Sequence, residues 1–387
     1  MQGSVRDTHA LPPEHICAAY WKYSKIKSKD LESDADVVDL RRGLSAEQRT
    51  KLHPVAELSA EAITAACASL RGYDHGQGDE FEREGARAVN AEPCTVYEHD
   101  DFPGLQIYPS VLPPETQLRL VSLLMHRDLA TKHHRTNVQA DYHVPYPVHP
   151  SCPSANTDVQ SGFLEQRELH MRCSSFFANP RSSSAEMLTP KDPSAHKPLN
   201  MEQYLHKRLR WLTLGDQYDW PTRSYSGNDA TRFPTDIASL VRGLFPELKA
   251  ESGVVLLYSP KDYMPVHRDV SEQCERGIAS ISLGCDGIFV VAQDTREGEV
   301  AKETAACGKT LVIRVRSGDV VHISGETRWA WHAMPKIIAG TCPEYIQNWP
   351  AGSEALMGLG RDSRAFHRWK GYMANKRLNI SCRQVWD

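Results

Sequence analysis

From residue 253 to its end the chain is a series of short β-branched or alternating stretches separated by turn residues such as Ser317-Gly318. They fall at 253–258, 278–283, 288–292, 311–316, 319–324 and 377–383. Side chains on a strand alternate between two faces, and many short strands at such intervals predict a sandwich, barrel or jelly roll. No internal repeat is visible. Upstream, the Tyr20-Trp21-Lys22-Tyr23 stretch predicts a short aromatic helix, and 56–68 a second one. Residues 72–85, rich in Gly, Asp and Glu, read as a linker. A compact unit is expected from Tyr97. Pro113-Pro114-Glu115 opens a helix whose Leu118, Val121, Leu124 and Met125 form one apolar face. The stretch 142–198, dense in Pro, Ser and His, reads as a flexible insertion.

Composition sets the context. Hydrophobic residues make up 40% of the 387 and charged residues 24%, enough for a sizeable core. No apolar run approaches the roughly 18 residues of a bilayer helix, so a soluble chain without membrane attachment is expected. The first residues lack the pattern of a signal or transit peptide, which predicts an intracellular protein, in nucleus or cytoplasm rather than mitochondrion. Ten cysteines are scattered with no Cys-x-x-Cys, so zinc ribbons and thioredoxin-like motifs are disfavoured and reduced thiols expected. A net charge of −4 excludes a bulk polycation; any nucleic-acid site has to be a local basic surface.

Two clusters carry chemistry. In His267-Arg268-Asp269, period 2 points an imidazole and a carboxylate the same way, and His332 follows a later strand pair. Two His and one carboxylate on one face, with other positions open, is the facial triad of non-haem iron oxygenases; a surface ion pair gives the same His-x-Asp. His-Arg-Asp also opens a kinase catalytic loop, but Cys274 stands where that loop needs Asn, and no Asp-Phe-Gly follows. The second cluster is Arg377, Asn379 and Arg383, which share one face of the last strand. Guanidiniums grip carboxylates in bidentate fashion, so a dicarboxylate fits there; an edge strand with its basic face in water is the alternative.

With their flanks, these clusters resemble the AlkB family of Fe(II)- and 2-oxoglutarate-dependent dioxygenases. The matching stretches are Leu257-Tyr258-Ser259-Pro260 to Asp269, Ser282-Leu283-Gly284, Ile288-Phe289 and Ser317-Gly318-Asp319. Ser324 to Arg328, His332, and Arg377 with Asn379, Arg383 and Gln384 complete the set. The resemblance covers about 210–387. The eukaryotic AlkB homologue one branch is the most similar, through Leu209-Arg210-Trp211-Leu212-Thr213, Phe233-Pro234, Val385 and the long gap between His332 and Arg377.

The resemblance implies an α+β chain: a double-stranded β-helix (jelly-roll) core with supporting helices and an N-terminal helical extension. It divides 1–96 (extension and linker) from 97–387 (catalytic domain), with the insertion at 142–198 and a nucleotide-recognition lid at 205–235. It implies Fe(II) on His267, Asp269 and His332, and 2-oxoglutarate held by Tyr258, Arg377, Asn379 and Arg383. Trp211 and Tyr218 are expected to cover and stack on a target base; the clustering of Lys207, Arg208 and Arg210 before them and of Arg223 and Arg232 after them offers a local basic surface for phosphate. Where the family often has Asn two residues before the Tyr, this chain has Leu256. The implied activity is oxidative demethylation of methyladenine in DNA or tRNA, releasing formaldehyde, succinate and CO2, by a monomer. The alternatives are a protein-directed oxygenase and a non-enzymatic binding module, the latter having no use for an iron site.

Overall fold

The computed structural model describes residues 7–71, 91–147, 175–178, 187–225, 227, 231–293, 308–353 and 364–387. Its strands, in chain order, are β1 Val37–Val38, β2 Leu52–Leu58, β3 Cys94–His99, β4 Phe102–Tyr108, β5 Tyr142–His143, β6 Thr189–Pro190, β7 Trp211–Gly215, β8 Tyr218–Asp219 and β9 Ser224–Tyr225. The series continues with β10 Ser252–Tyr258, β11 Met264–His267, β12 Ile278–Gly284, β13 Gly287–Ala292, β14 Thr310–Val315, β15 Val320–Ile323, β16 Trp331–Ile337 and β17 Arg377–Arg383.

Two sheets dominate. The larger runs β2-β3-β4-β15-β12-β17-β10-β7 and the smaller β1-β14-β13-β16-β11. The eight strands from β10 to β17 pass between the sheets in the jelly-roll manner, broken only by the β13–β14 hairpin within the smaller one. β17 is central, pairing Tyr258↔Arg377 to Ser252↔Arg383 with β10, and Gly284↔Arg377 to Ile278↔Arg383 with β12. Its Leu378, Ile380 and Cys382 are buried in the main core, while Arg377, Asn379, Ser381 and Arg383 share the other face, as alternation predicts.

Helices cover the outside of the larger sheet. Ala60–Ala68 lies against Thr235–Leu244 so closely that a Cβ on Gly243 would sit 2.6 Å from that of Ala66. Glu14–Lys25 packs Ile16 and Tyr23 on the smaller sheet, against Ile288, Val290 and Trp331.

Every strand expected after residue 253 is present. Two that flank the site fall outside that set and each contains a proline, Pro265 or Pro335: β16, and β11, which ends at His267, so the alternation expected across 267–269 stops short of Asp269. A proline cannot donate to a ladder, and the register slips on both sides of β16, between Met264 and His267 and between Ile288 and Val290. Residues 56–58 end β2, so the helix expected from 56 begins at Ala60. The boundary at 96/97 falls inside β3, which pairs with β2; β1 pairs with β14, so the extension is woven into both sheets.

The 72–85 linker lies outside the described residues. Of the 142–198 insertion, the described parts are anchored rather than loose. β5 pairs with β6, and Phe176, Phe177, Leu188 and Leu199 join the core. The apolar residues among the Ser and Pro fix these ends, and composition alone hid them.

Candidate active site

β11 and β16 place His267 directly opposite His332. The rings lie 4.3 Å apart, centroid to centroid, and Asp269 follows just beyond β11. One ligand atom from each of the three lies within 4.8 Å of the others. His267 Nδ1 donates to the Pro265 carbonyl at 2.9 Å and His332 Nδ1 to that of Ala330 at 3.1 Å. A carbonyl only accepts, so both imidazoles carry their proton on Nδ1 and keep the Nε2 lone pair free for a metal. Burial, then the neighbouring His267, pushes His332 down to about 4, so it is neutral at physiological pH.

Burial opposes the charge on Asp269, but its cationic surroundings, the Arg383 guanidinium foremost, outweigh it and hold the carboxyl well below the usual range. Arg383 Nη1 lies 3.3 Å from Asp269 Oδ1 and 2.9 Å from Glu272 Oε1. Glu272 in turn meets Arg328 at 3.1 Å, and Arg328 Nη1 donates to the Asp269 carbonyl at 2.8 Å. Glu272 and Arg328 thus clamp the loop that carries Asp269. Glu272 was not singled out from sequence, although it stands three places after Asp269.

These three residues are at the floor of a cavity of about 600 Å³ between the sheets. Asn379, Ser381 and Arg383 line one wall with Tyr258 and Leu256, so Leu256 faces inward at the position where the family often has Asn. Asn379 Nδ2 donates to Ser280 Oγ and the Ile281 carbonyl, at 2.8 and 3.0 Å.

Arg377 is fully buried across from Tyr258. Its Nη groups donate to Ser282 Oγ and the Cys285 carbonyl, at 2.7 and 3.2 Å, and its Nε has no partner. Among the described residues no carboxylate lies within 4.0 Å of it. A buried guanidinium without a counter-charge costs several kcal/mol, which a bound dicarboxylate would recover. Gly287 leaves room beside it: a Cβ there would lie 3.1 Å from Arg377 Nε and 2.6 Å from Met334 Sδ. The donor sets therefore fit both groups, Fe(II) on two imidazoles and a carboxylate, and 2-oxoglutarate on Arg377 and Tyr258.

The mouth departs from expectation. Tyr218 lines it, its hydroxyl 3.4 Å from Ser271 Oγ. Trp211 does not: it starts β7 opposite Leu256 and leans on Trp220, 5.3 Å between centroids. The second aromatic at the mouth is Trp220, 4.9 Å from Tyr218 in an edge-to-face pair. Trp220 is two places after Tyr218, and period 2 could have found it. Lys207, Arg208 and Arg210 line none of the cavity, and Arg210 faces Asp262 at 3.4 Å. Of the cations expected beside the lid, Arg223 is at the mouth, together with Arg268, whose guanidinium lies 4.3 Å over the Trp331 ring. Residues 7–12 lie along the same opening, where Arg223 and Arg268 donate to the Thr8 and Asp7 carbonyls.

Residues 156–383 match the 2OG-Fe(II) oxygenase superfamily. The N6-methyladenosine RNA demethylase ALKB1 of Pyricularia oryzae is 34% identical over 388 residues, spanning 98% of this chain and 97% of its own. The N6-methyladenosine RNA demethylase ALKBH of Cryphonectria parasitica is 41% identical over 221 residues, 55% of this chain and 91% of its own. The tRNA demethylase abh1 of Schizosaccharomyces pombe is 28% identical over 298 residues, 75% of this chain and 82% of its own. By fold and site the chain is an Fe(II)- and 2-oxoglutarate-dependent dioxygenase. It belongs to the AlkB family of that superfamily.

Proposed function

We propose that this chain demethylates N-methylated adenine in RNA, acting as a monomer inside the cell. The observation that carries the reading is the placement of Tyr218 and Trp220, flanked by Arg223 and Arg268, at the mouth above the His267–Asp269–His332 cluster. An unstacked base needs aromatic faces to grip it and cations for its phosphates, and each base–aromatic stack is worth about 1–3 kcal/mol. Two of the relatives are named for N6-methyladenosine in RNA and a third for tRNA, which favours adenine in RNA.

When bound, Fe(II) and 2-oxoglutarate would supply, with O2 as the oxidant, an oxidative decarboxylation to succinate and CO2 that takes up one oxygen atom, while the other hydroxylates the methyl group, which then leaves as formaldehyde. The chain's own residues do the positioning. His267 and His332 offer Nε2 because their Nδ1 protons are committed to backbone carbonyls. Arg383 keeps Asp269 ionised, and Arg377 with Tyr258 takes the far carboxylate of 2-oxoglutarate. Asn379 and Arg383 line the wall of the same cavity as the three ligand residues. Tyr218 and Trp220 aim the methyl group inward and exclude water.

The test is a side-by-side turnover panel read by mass spectrometry: methylated tRNA, single-stranded and duplex RNA, the matching DNAs, and a methylated histone peptide. Loss of one methyl from adenine in RNA, above the other substrates, is the expected result. Turnover of the peptide alone would transfer the chain to protein-directed oxygenases.

A further inference from the structure

Lys207 and Arg208 are basic, exposed and remote from the cavity lining, so they need another use. They end the turn Tyr204–Arg208, which stacks on the turn His367–Trp369: the His206 and Trp369 rings are 5.5 Å apart and tilted by 29°. Arg368 lies over Trp369 at 5.1 Å, and a small cleft of about 130 Å³ opens among Asn200, Glu202, His206 and Arg368.

Around this stack Lys207, Arg208, Arg364, His367 and Lys370 are all exposed. None of Lys207, Arg208, Arg364 or Lys370 has a carboxylate within 4.0 Å among the described residues, and Glu202 is the single acid of the cleft. Some exposed cations elsewhere are neutralised in place, as Lys51 and Lys309 are by Asp101, Lys249 by Glu251 and Arg276 by Glu247. In a chain of net charge −4, a concentrated basic patch with four cations unpaired among the described residues fits a polyanion.

The platform is also rigid. Asn137 Nδ2 donates to the Arg208 carbonyl at 2.8 Å, Tyr372 Oη to that of Leu205 at 2.9 Å, and Trp369 Nε1 to that of Phe177 at 2.8 Å. Pinned turns present their cations with little ordering cost on binding. β7 starts at Trp211 and leads from this patch toward Tyr218. Ten positions separate Arg208 from Tyr218, a span of at most about 35 Å. A folded RNA reaches across a span of that length.

We propose that the two stacked turns form a second nucleic-acid site, which takes the phosphate backbone of the substrate RNA away from the methylated base. The proposal rests on the RNA reading given above.

The experiment compares the full chain with the triple variant Lys207→Ala, Arg208→Ala, Lys370→Ala. Affinity for methylated tRNA is measured over a salt series, and turnover is measured on a methylated mononucleoside. The expected result is at least tenfold weaker tRNA binding, with the slope of log affinity against log salt reduced by about 2–3. Mononucleoside turnover stays within twofold, and the charge-conserving variant Lys207→Arg, Arg208→Lys, Lys370→Arg binds as the parent does. A triple variant that binds tRNA like a binding parent overturns this proposal alone. Equal losses on tRNA and mononucleoside assign the turns a structural role and overturn it too. A parent that binds no RNA overturns this proposal together with the reading beneath it.

Discussion

Arg377 costs the fold more than a structural residue should. Its guanidinium is buried, its Nε unpartnered, and only a hydroxyl and a carbonyl meet its Nη groups. If a carboxylate of 2-oxoglutarate is the missing partner, Arg377→Ala raises the 2-oxoglutarate KM at least tenfold, read by succinate release at saturating RNA. The same change leaves melting unaltered or raises it, because an uncompensated charge has gone. Gly287→Ala tests the same cradle differently. The added methyl has to displace Arg377 or Met334, so the KM rises while the RNA Kd holds. An unchanged KM in both variants would remove Arg377 from cosubstrate binding. Arg377, Asn379 and Arg383 were legible in sequence because β17 is regular and period 2 sorts its faces. Glu272 was not, since its pairing with Arg328 joins segments that no local pattern connects.

At the scale of elements, the aromatic mouth depends on the β8–β9 hairpin. Trp220→Ala should weaken binding of a methylated oligonucleotide by about tenfold, the value of one stack. Trp211→Ala should change it less, because Trp211 lies behind Trp220. Anisotropy titrations of the two variants decide the order, and the reverse order would restore Trp211 as the covering residue. The extension is held through charge. Asp39 is buried and meets Arg316, while Arg314 and Arg316 share Asp286 at 2.9 and 3.0 Å. Asp39→Ala leaves Arg316 short of a partner and should cost on the order of 3–5 kcal/mol in urea unfolding. A loss below 1 kcal/mol would show that β1 is not needed by the smaller sheet. Most strands of the jelly roll could be read from the chain because they are β-branched and regular. β11 and β16 could not, because Pro265 and Pro335 mask the pattern in the strands that carry the two histidines. The site residues were thus found by chemical type before their strands were.

For the molecule as a whole, buried neutral histidines set the acid limit. Burial pushes His126 down to about 3, and His322, by burial and then Arg328, down to about 4. In the unfolded chain both return to about 6.5. Their folded values are depressed, so the unfolded state binds more protons below that pH. Stability is therefore full above about pH 6.5 and falls as the pH drops toward 4 and 3. Melting should decline steeply over that window, and His126→Gln should flatten the slope even if its starting stability is lower. An unaltered slope would mean that His126 does not govern it.

Placing an N-demethylation centre on His267, Asp269 and His332 makes one measurement decisive. Methylated tRNA is incubated in air with the chain, Fe(II) and 2-oxoglutarate, and formaldehyde and succinate are counted in the same sample. The account predicts equal amounts of both, formed only with all components present, and neither above background for His267→Ala. Formaldehyde release by His267→Ala at the parent's rate, or succinate from the parent without any loss of methyl from RNA, would contradict it.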